Sequence, residues 1–193
     1  MYRIYQHLYL SAWFEDTVFV ILADHNAGSA GRENLPIKKY QIPLWIYSPK
    51  HLEAQMIAKR GGQIDVAPTI LAILNMDYES WFFGQDMLSE RRENSLALIG
   101  NYQYLGLYQQ DILSILKPKK QTVQYTTSLL EPSNKALAEQ NFSLLEKTIA
   151  YYQTAAYLLK NRMNAWSVNN EKIKASSINV CNRKSAAIGV HDC

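Results

Sequence analysis

The ten residues TVFVILADHN, positions 17–26, decide the fold of this chain. Positions 17–23 form a continuous apolar run rich in β-branched residues, which is typical of a strand buried on both faces of a sheet. The run ends abruptly at Asp24, His25 and Asn26. In open α/β sheets, ligands bind outside the carboxyl ends of the strands. The sequence therefore predicts a candidate site at Asp24 and His25.

An aspartate beside a histidine offers one oxygen and one nitrogen ligand, a mixture that suits Mn²⁺ or Zn²⁺. Two ligands do not complete a coordination shell, so a metal at this place would need further ligands from elsewhere. On spacing alone, the more common explanation is an aspartate that caps a turn and a histidine that is merely exposed. The surrounding sequence has to decide between the two interpretations.

Two more segments follow in order. Positions 42–47, IPLWIY, predict a second strand, and Pro43 within it favours an edge position or the start of the strand. Positions 63–74, QIDVAPTILAIL, predict the start of a helix, with Asp65 as N-cap and Pro68 in the first turn. We interpret Asp65 as a structural residue, because its carboxylate can accept backbone N–H groups at the helix start.

The second half of the chain has a different pattern. Short strand-like pieces separated by turns predict an antiparallel meander at 95–99, 102–108, 112–116 and 122–126. A long helix is predicted from about Asn134 to Arg162, with Ser133 as its N-cap. The fold class is therefore α/β, with residues 1–162 in one domain. Residues 163–193 are predicted to form a polar, poorly ordered tail.

Charge and composition argue against a nucleic-acid partner. The net charge is only +3, and the densest basic cluster, Lys117, Lys119 and Lys120, is better explained as a solvated turn. Positions 101–110 are rich in tyrosine and glutamine but contain no arginine, so sheet packing explains them better than base stacking. No apolar run approaches the roughly 20 residues that cross a bilayer, and no signal peptide is predicted.

Three motifs in the same order resemble those of the sulfatases and the lipoteichoic acid synthase-like phosphoglycerol transferases, within the alkaline phosphatase superfamily. Residues 18–29 resemble the strand and metal-binding loop of these enzymes, in which an apolar strand ends in Asp-His. Residues 39–49 are similar to their Ile-Pro-Leu strand, and residues 63–71 to their Asp-x-x-Pro-Thr-Leu helix start. Residues 83–88 are weakly similar to a glycine-containing loop of the same family.

This resemblance implies part of an alkaline phosphatase-like sandwich and a metal-dependent transfer or hydrolysis of phosphate or sulfate esters, with a phosphoglycerol ester as one candidate substrate. It implies that Asp24 and His25 are metal ligands, with Mn²⁺ preferred and Zn²⁺ or Ca²⁺ as alternatives. It also implies that Ser29 contacts the substrate, although a turn residue is an equally good explanation for Ser29 alone.

The sequence departs from the family pattern on its N-terminal side. The nucleophile and the first acidic ligand of the family lie well before the Asp-His pair, whereas only 23 residues precede Asp24 here. We therefore expect a C-terminal fragment without a catalytic nucleophile, whose missing N-terminal half would carry the membrane segments. The resemblance implies a bacterial cell membrane location, with the catalytic domain extracytoplasmic or periplasmic. The alternative is a catalytically inactive, truncated remnant that serves as an interaction module.

Overall fold

The computed structural model describes residues 9–26, 35–58, 60–90, 95–128 and 134–164. Within them, the chain has a mixed α/β fold with a two-stranded and a five-stranded antiparallel sheet and two α-helices. This arrangement confirms the predicted fold class. All but the first two residues of the predicted tail lie outside the described residues, so the expected disorder there stays a prediction.

The small sheet contains both of the apolar runs found in the sequence. Strand β1 (Phe19–Leu22) pairs with strand β2 (Leu44–Tyr47), and Leu22 lies opposite Leu44. The prediction that the two runs share one sheet is confirmed. Pro43 directly precedes β2, where a proline costs no ladder hydrogen bond.

Two details of this sheet differ from the expectation. The strands are antiparallel, so Asp24 and His25 follow β1 beside the amino end of β2. The prediction that the first run is buried on both faces is wrong for its second half, since Ile21 is 53% exposed. Trp45 lies opposite Ile21 on the same face and is 59% exposed. An apolar run indicates a strand, but it does not indicate which elements cover that strand.

Helix α1 (Val66–Ile73) begins where the sequence predicts it. Asp65 is the N-cap residue, and Pro68 is buried in the first turn, where its missing N–H is not needed. A 3₁₀ turn, Gln63–Asp65, leads into the helix.

The five-stranded sheet is the predicted meander, with neighbouring strands antiparallel and in sequence order. Its strands are β3 (Leu96–Gly100), β4 (Leu105–Gln109), β5 (Ile112–Lys117), β6 (Gln121–Thr126) and the short β7 (Lys135–Ala136). The turn between β3 and β4 is closed by the Asn101 side chain, whose Oδ1 accepts the N–H groups of Gln103 and Tyr104 at 2.9 and 2.8 Å. Gln110 and Asp111 both have positive φ, as a two-residue hairpin requires.

Helix α2 (Phe142–Lys160) starts later than predicted. The expected start near Asn134 is wrong, because β7 occupies that part of the chain and Asn141 is the N-cap residue. Asn141 Oδ1 accepts the N–H of Leu144 at 3.0 Å, and Ser133 lies outside the described residues. Neither helix of the described chain has both the length and the apolar character needed to cross a membrane.

The core lies on both faces of the meander. On one face, Leu35 and Ile37 pack against three residues of the central strands, Tyr108, Leu113 and Ile115. On the other face, Leu107 packs against Leu144 of α2. The sheet is therefore enclosed by α2 on one side and by the segment before β2 on the other.

A buried amide joins α2 to this sheet. Gln124 Nε2 donates to the carbonyl of Asn141 at 2.9 Å, and Gln124 Oε1 accepts the N–H of Asn141 at 2.7 Å. The same Nε2 lies 3.3 Å from Ser114 Oγ, which is fully buried. The single Gln124 side chain thus satisfies both backbone groups of the helix N-cap residue.

We expect Gln124→Leu to lower the free energy of unfolding by about 1–3 kcal/mol, because the N–H of Asn141 loses its hydrogen-bond partner, while the carbonyl of Asn141 still accepts the N–H of Leu145. Urea unfolding measures this change. Gln121→Leu is the matched control, since Gln121 lies on the same strand and is exposed, and it should change stability by less than about 0.5 kcal/mol. Equal effects of the two substitutions would contradict the role of the Gln124 amide.

A second contact between α2 and the sheet is made by a tyrosine hydroxyl, which titrates at alkaline pH. The Tyr152 hydroxyl has one proton to donate, and it lies 2.8 Å from the carbonyl oxygen of Gly106 and 3.0 Å from that of Ile99. Burial raises the pKa of Tyr152 from 10.0 to about 12. The unfolded chain therefore releases this proton first, so the contribution of Tyr152 to stability is present below pH 10 and is lost as the pH rises towards 12.

We expect the free energy of unfolding to fall by up to about 2 kcal/mol between pH 10 and 12 through Tyr152. Tyr152→Phe should remove that part of the pH dependence, measured by denaturant unfolding at several pH values. Tyr157→Phe, on the exposed side of the same helix, should leave the pH dependence unchanged. If the slope survives in Tyr152→Phe, another group is responsible.

Candidate functional site

Asp24 and His25 follow β1 after a single residue, and both side chains are accessible to solvent. The side chain of Asp24 is 87% exposed and that of His25 is 66% exposed. Asp24 Oδ1 accepts the backbone N–H of His25 at 2.8 Å, which leaves the other carboxylate oxygen, Oδ2, facing the imidazole. This carboxylate caps its own turn, as the simpler interpretation expected, and still offers one oxygen to a ligand.

The imidazole of His25 is oriented by a backbone contact. Its Nδ1 lies 3.1 Å from the carbonyl oxygen of Asn26. Both ring nitrogens therefore face acceptor oxygens, since Nε2 lies 3.4 Å from Asp24 Oδ2. The tautomer with the proton on Nδ1 is the one whose Nε2 lone pair could bind a metal ion.

The spacing of the two side chains suits a shared cation. His25 Nε2 lies 3.4 Å from Asp24 Oδ2. Two ligands bonded at about 2.1 Å to a tetrahedral ion also lie about 3.4 Å apart. An ion pair between Asp24 and a protonated His25 has the same spacing, so the geometry fits a metal without requiring one.

Two side-chain amides, one from the loop itself and one from another segment, hold this loop. Asn26 Nδ2 donates to the carbonyl of Gln41, just before β2, at 3.2 Å. Gln63 Nε2 donates to the carbonyl of Asp24 at 2.8 Å and lies 3.3 Å from that of Ala23. The Asp-His loop is therefore attached to β2 and to the start of α1, although Gln63 is about forty residues away in sequence.

Asp65 is a structural residue, as expected from the sequence, but the expected contact is wrong in detail, because its carboxylate accepts no N–H group of α1. It is only 3% exposed, and its two oxygens accept the N–H groups of Gly62 and Gln85, each at 2.8 Å. Thr69 Oγ1 in turn donates to the carbonyl of Asp65 and accepts the N–H of Met87 at 2.9 Å. These bonds fix the loop at residues 83–88 against the start of α1.

This loop approaches the helix start so closely that a glycine is required. A Cβ atom at Gly84 would lie 1.9 Å from the carbonyl oxygen of Ile64, far inside van der Waals contact. The weak resemblance at residues 83–88 therefore coincides with a definite structural constraint.

The described residues bring two candidate metal ligands together, Asp24 and His25. In the ranges that the structure covers, no three His, Cys, Asp or Glu side chains come together to hold a metal ion. Asp24 and His25 lie side by side as predicted, whereas Ser29 lies outside the described residues and its substrate contact stays a prediction. The contact of Gln63 with the Asp-His loop was not predicted from sequence. The position of Gln63, two residues before Asp65, was the one signal that could have suggested it.

Comparisons with known proteins identify the class of fold. The chain is similar to an alkaline phosphatase superfamily protein from Vibrio parahaemolyticus, known from a crystal structure, with a TM-score of 0.76 and 22% sequence identity. The match covers 86% of this chain and 40% of the other, so the chain spans less than half of that structure's length. At this identity, the likeness establishes the fold alone.

The sequence comparison is more specific. Residues 3–76 match the family model of the sulfatases, a range that contains β1, the Asp-His pair, β2 and α1. The chain thus combines a segment that matches the sulfatase family model with a fold similar to that of one alkaline phosphatase superfamily protein.

We expect Asp65→Asn to lower the free energy of unfolding by about 2–3 kcal/mol. An amide offers one acceptor oxygen where the carboxylate offers two, so a buried backbone N–H loses its partner. Denaturant unfolding measures the loss, and Asp77→Asn is the control because Asp77 is exposed. Unchanged stability in Asp65→Asn would show that Gly62 and Gln85 do not depend on this carboxylate.

Proposed function

We propose that this chain supplies the Asp24–His25 part of the metal centre of an enzyme that transfers or hydrolyses phosphate or sulfate esters. Lipoteichoic acid synthase-like phosphoglycerol transferases are the favoured subclass, because the resemblance covers three motifs in order. The observation that carries the proposal is the ligand pair itself, one oxygen and one nitrogen 3.4 Å apart at the end of β1. Its location inside the sulfatase-family segment supports the proposal.

Mn²⁺ is the preferred cation, with Zn²⁺ or Ca²⁺ as alternatives, because the pair mixes a hard oxygen with an imidazole nitrogen. A bound divalent cation would lower the pKa of a coordinated hydroxyl and neutralise charge on the group being transferred. Asp24 would bind it through Oδ2 and His25 through Nε2. With its proton on Nδ1, directed at the carbonyl of Asn26, the imidazole would offer the lone pair of Nε2 to the ion.

The remaining ligands and the nucleophile would come from a complementary part of the catalytic domain. The exposed apolar side chains of Ile21 and Trp45 support this proposal, since they form a sheet face directly before the Asp-His pair. The matched crystal structure has the same fold within a much longer chain. We place the assembled enzyme at the extracytoplasmic face of a bacterial membrane, following the resemblance to phosphoglycerol transferases.

A second candidate function is an interaction module without activity of its own. The same exposed face favours it, because contiguous exposed apolar surface marks sites of protein contact. The two candidates differ in whether Asp24 and His25 bind a metal ion.

We expect the purified chain to bind Mn²⁺ weakly, with a dissociation constant of about 0.1–1 mM. A complete four-ligand zinc site has a binding free energy of roughly 10–16 kcal/mol, and two ligands supply only part of it. Mn²⁺ also binds more weakly than Zn²⁺. The electron paramagnetic resonance signal of free Mn²⁺ measures the bound fraction. Asp24→Asn and His25→Ala should each abolish the binding.

The matched control for this experiment is Asp77→Asn, which removes an exposed carboxylate elsewhere and should leave the affinity unchanged. Sub-micromolar binding that survives His25→Ala would place the metal elsewhere. If none of the substitutions reduces Mn²⁺ binding, the result would favour the interaction module. Turnover of bis-p-nitrophenyl phosphate by the isolated chain, abolished by Asp24→Ala, would show that the nucleophile lies within this chain.

A further inference from the structure

Gln63 is the point where the start of α1 reaches the Asp-His loop. Its side-chain amide donates to the carbonyl of Asp24 at 2.8 Å and lies 3.3 Å from the carbonyl of Ala23. These two carbonyls bracket the backbone of Asp24. The peptide plane between Asp24 and His25 sets the direction of both side chains, so fixing its carbonyl restricts both at once.

The backbone of Gln63 is itself firmly held. Gln63 is the first residue of the 3₁₀ turn that ends at Asp65, whose buried carboxylate binds Gly62 and Gln85. Its side chain therefore extends from a rigid segment to an exposed one. A typical surface glutamine lacks such a fixed backbone, so its side chain could not hold another segment in place.

We propose that Gln63 is a positioning residue for the metal ligands Asp24 and His25. This inference rests on the proposed function of that pair. Ligands that are held in place before binding lose less conformational freedom when the ion arrives, so their affinity is higher. Gln63 contributes no ligand atom in this assignment and acts only through the backbone of Asp24.

The test uses Gln63→Met in the full chain, because methionine is similar in length and shape but cannot donate a hydrogen bond. Gln140→Met is the control, since the exposed Gln140 amide donates a 3.3 Å hydrogen bond to Thr122 Oγ1, on the distant meander. Two quantities are measured by NMR on ¹⁵N-labelled protein. They are the backbone order parameters of residues 23–26 without metal, and the selective broadening of their signals by added Mn²⁺.

We expect Gln63→Met to lower the order parameters of residues 24–26 from the rigid range towards values below about 0.6. The Mn²⁺ concentration needed for half-maximal broadening should rise about three- to tenfold, as the loss of one or two exposed hydrogen bonds implies. The thermal midpoint should shift by no more than about 4 °C, because the lost bonds are exposed. Gln140→Met should change neither NMR quantity.

Each other outcome overturns a specific statement. If Mn²⁺ broadens Asp24 and His25 equally in wild type and Gln63→Met, the positioning role is wrong while the proposed function stands. If Mn²⁺ broadens no signal near Asp24 in the wild-type chain, the proposed function is wrong, and a fall in order parameters would then make Gln63 a structural anchor alone. A rise in the required Mn²⁺ concentration with unchanged order parameters would also overturn the positioning role.

Discussion

The buried carboxylate of Asp65 is the interaction on which the arrangement around the candidate site depends. A carboxylate with 3% exposure is stable only if hydrogen bonds replace the water it has lost, and Asp65 accepts the N–H groups of Gly62 and Gln85. These two donors come from segments on either side of α1. One side chain thus fixes the approach to the helix, the helix start and the glycine-containing loop. Gln63, which reaches the Asp-His loop, extends from the turn that this carboxylate stabilises.

Asp65 and Asp24 show how environment separates a structural aspartate from a candidate ligand. Both oxygens of Asp65 accept backbone N–H groups in a buried place, so a cation would have to displace those bonds in order to bind. Asp24 is exposed and accepts the N–H of His25 through Oδ1, which leaves Oδ2 directed towards the imidazole. The distinction follows from burial and hydrogen bonding, since both residues stand next to secondary structure within the same sulfatase-family segment.

Sequence patterns were most informative where the signal was local. The N-cap position of Asp65, the place of Pro68 and four of the five strands of the meander depend on neighbouring residues, and these were predicted. The direction of β2 relative to β1 was not predictable, because apolar periodicity carries no information about strand direction. The start of α2 was placed too early, because the apolar spacing continues through residues that pair as β7. The contact of Gln63 with Asp24 joins residues about forty positions apart, and no local pattern encodes it.

The exposed face of the small sheet and the Asp-His pair occur at the same place in the fold. A two-stranded sheet is marginally stable by itself, and full burial of a large apolar side chain contributes about 1.5–3 kcal/mol. Ile21 and Trp45 are exposed, so they contribute little of this burial free energy. The meander strands, in contrast, are covered on both faces. Asp24 follows β1 after one residue, so a segment that covered Ile21 would also come close to the Asp-His pair. Under the proposed function, one complementary segment would therefore both bury this face and supply the missing ligands.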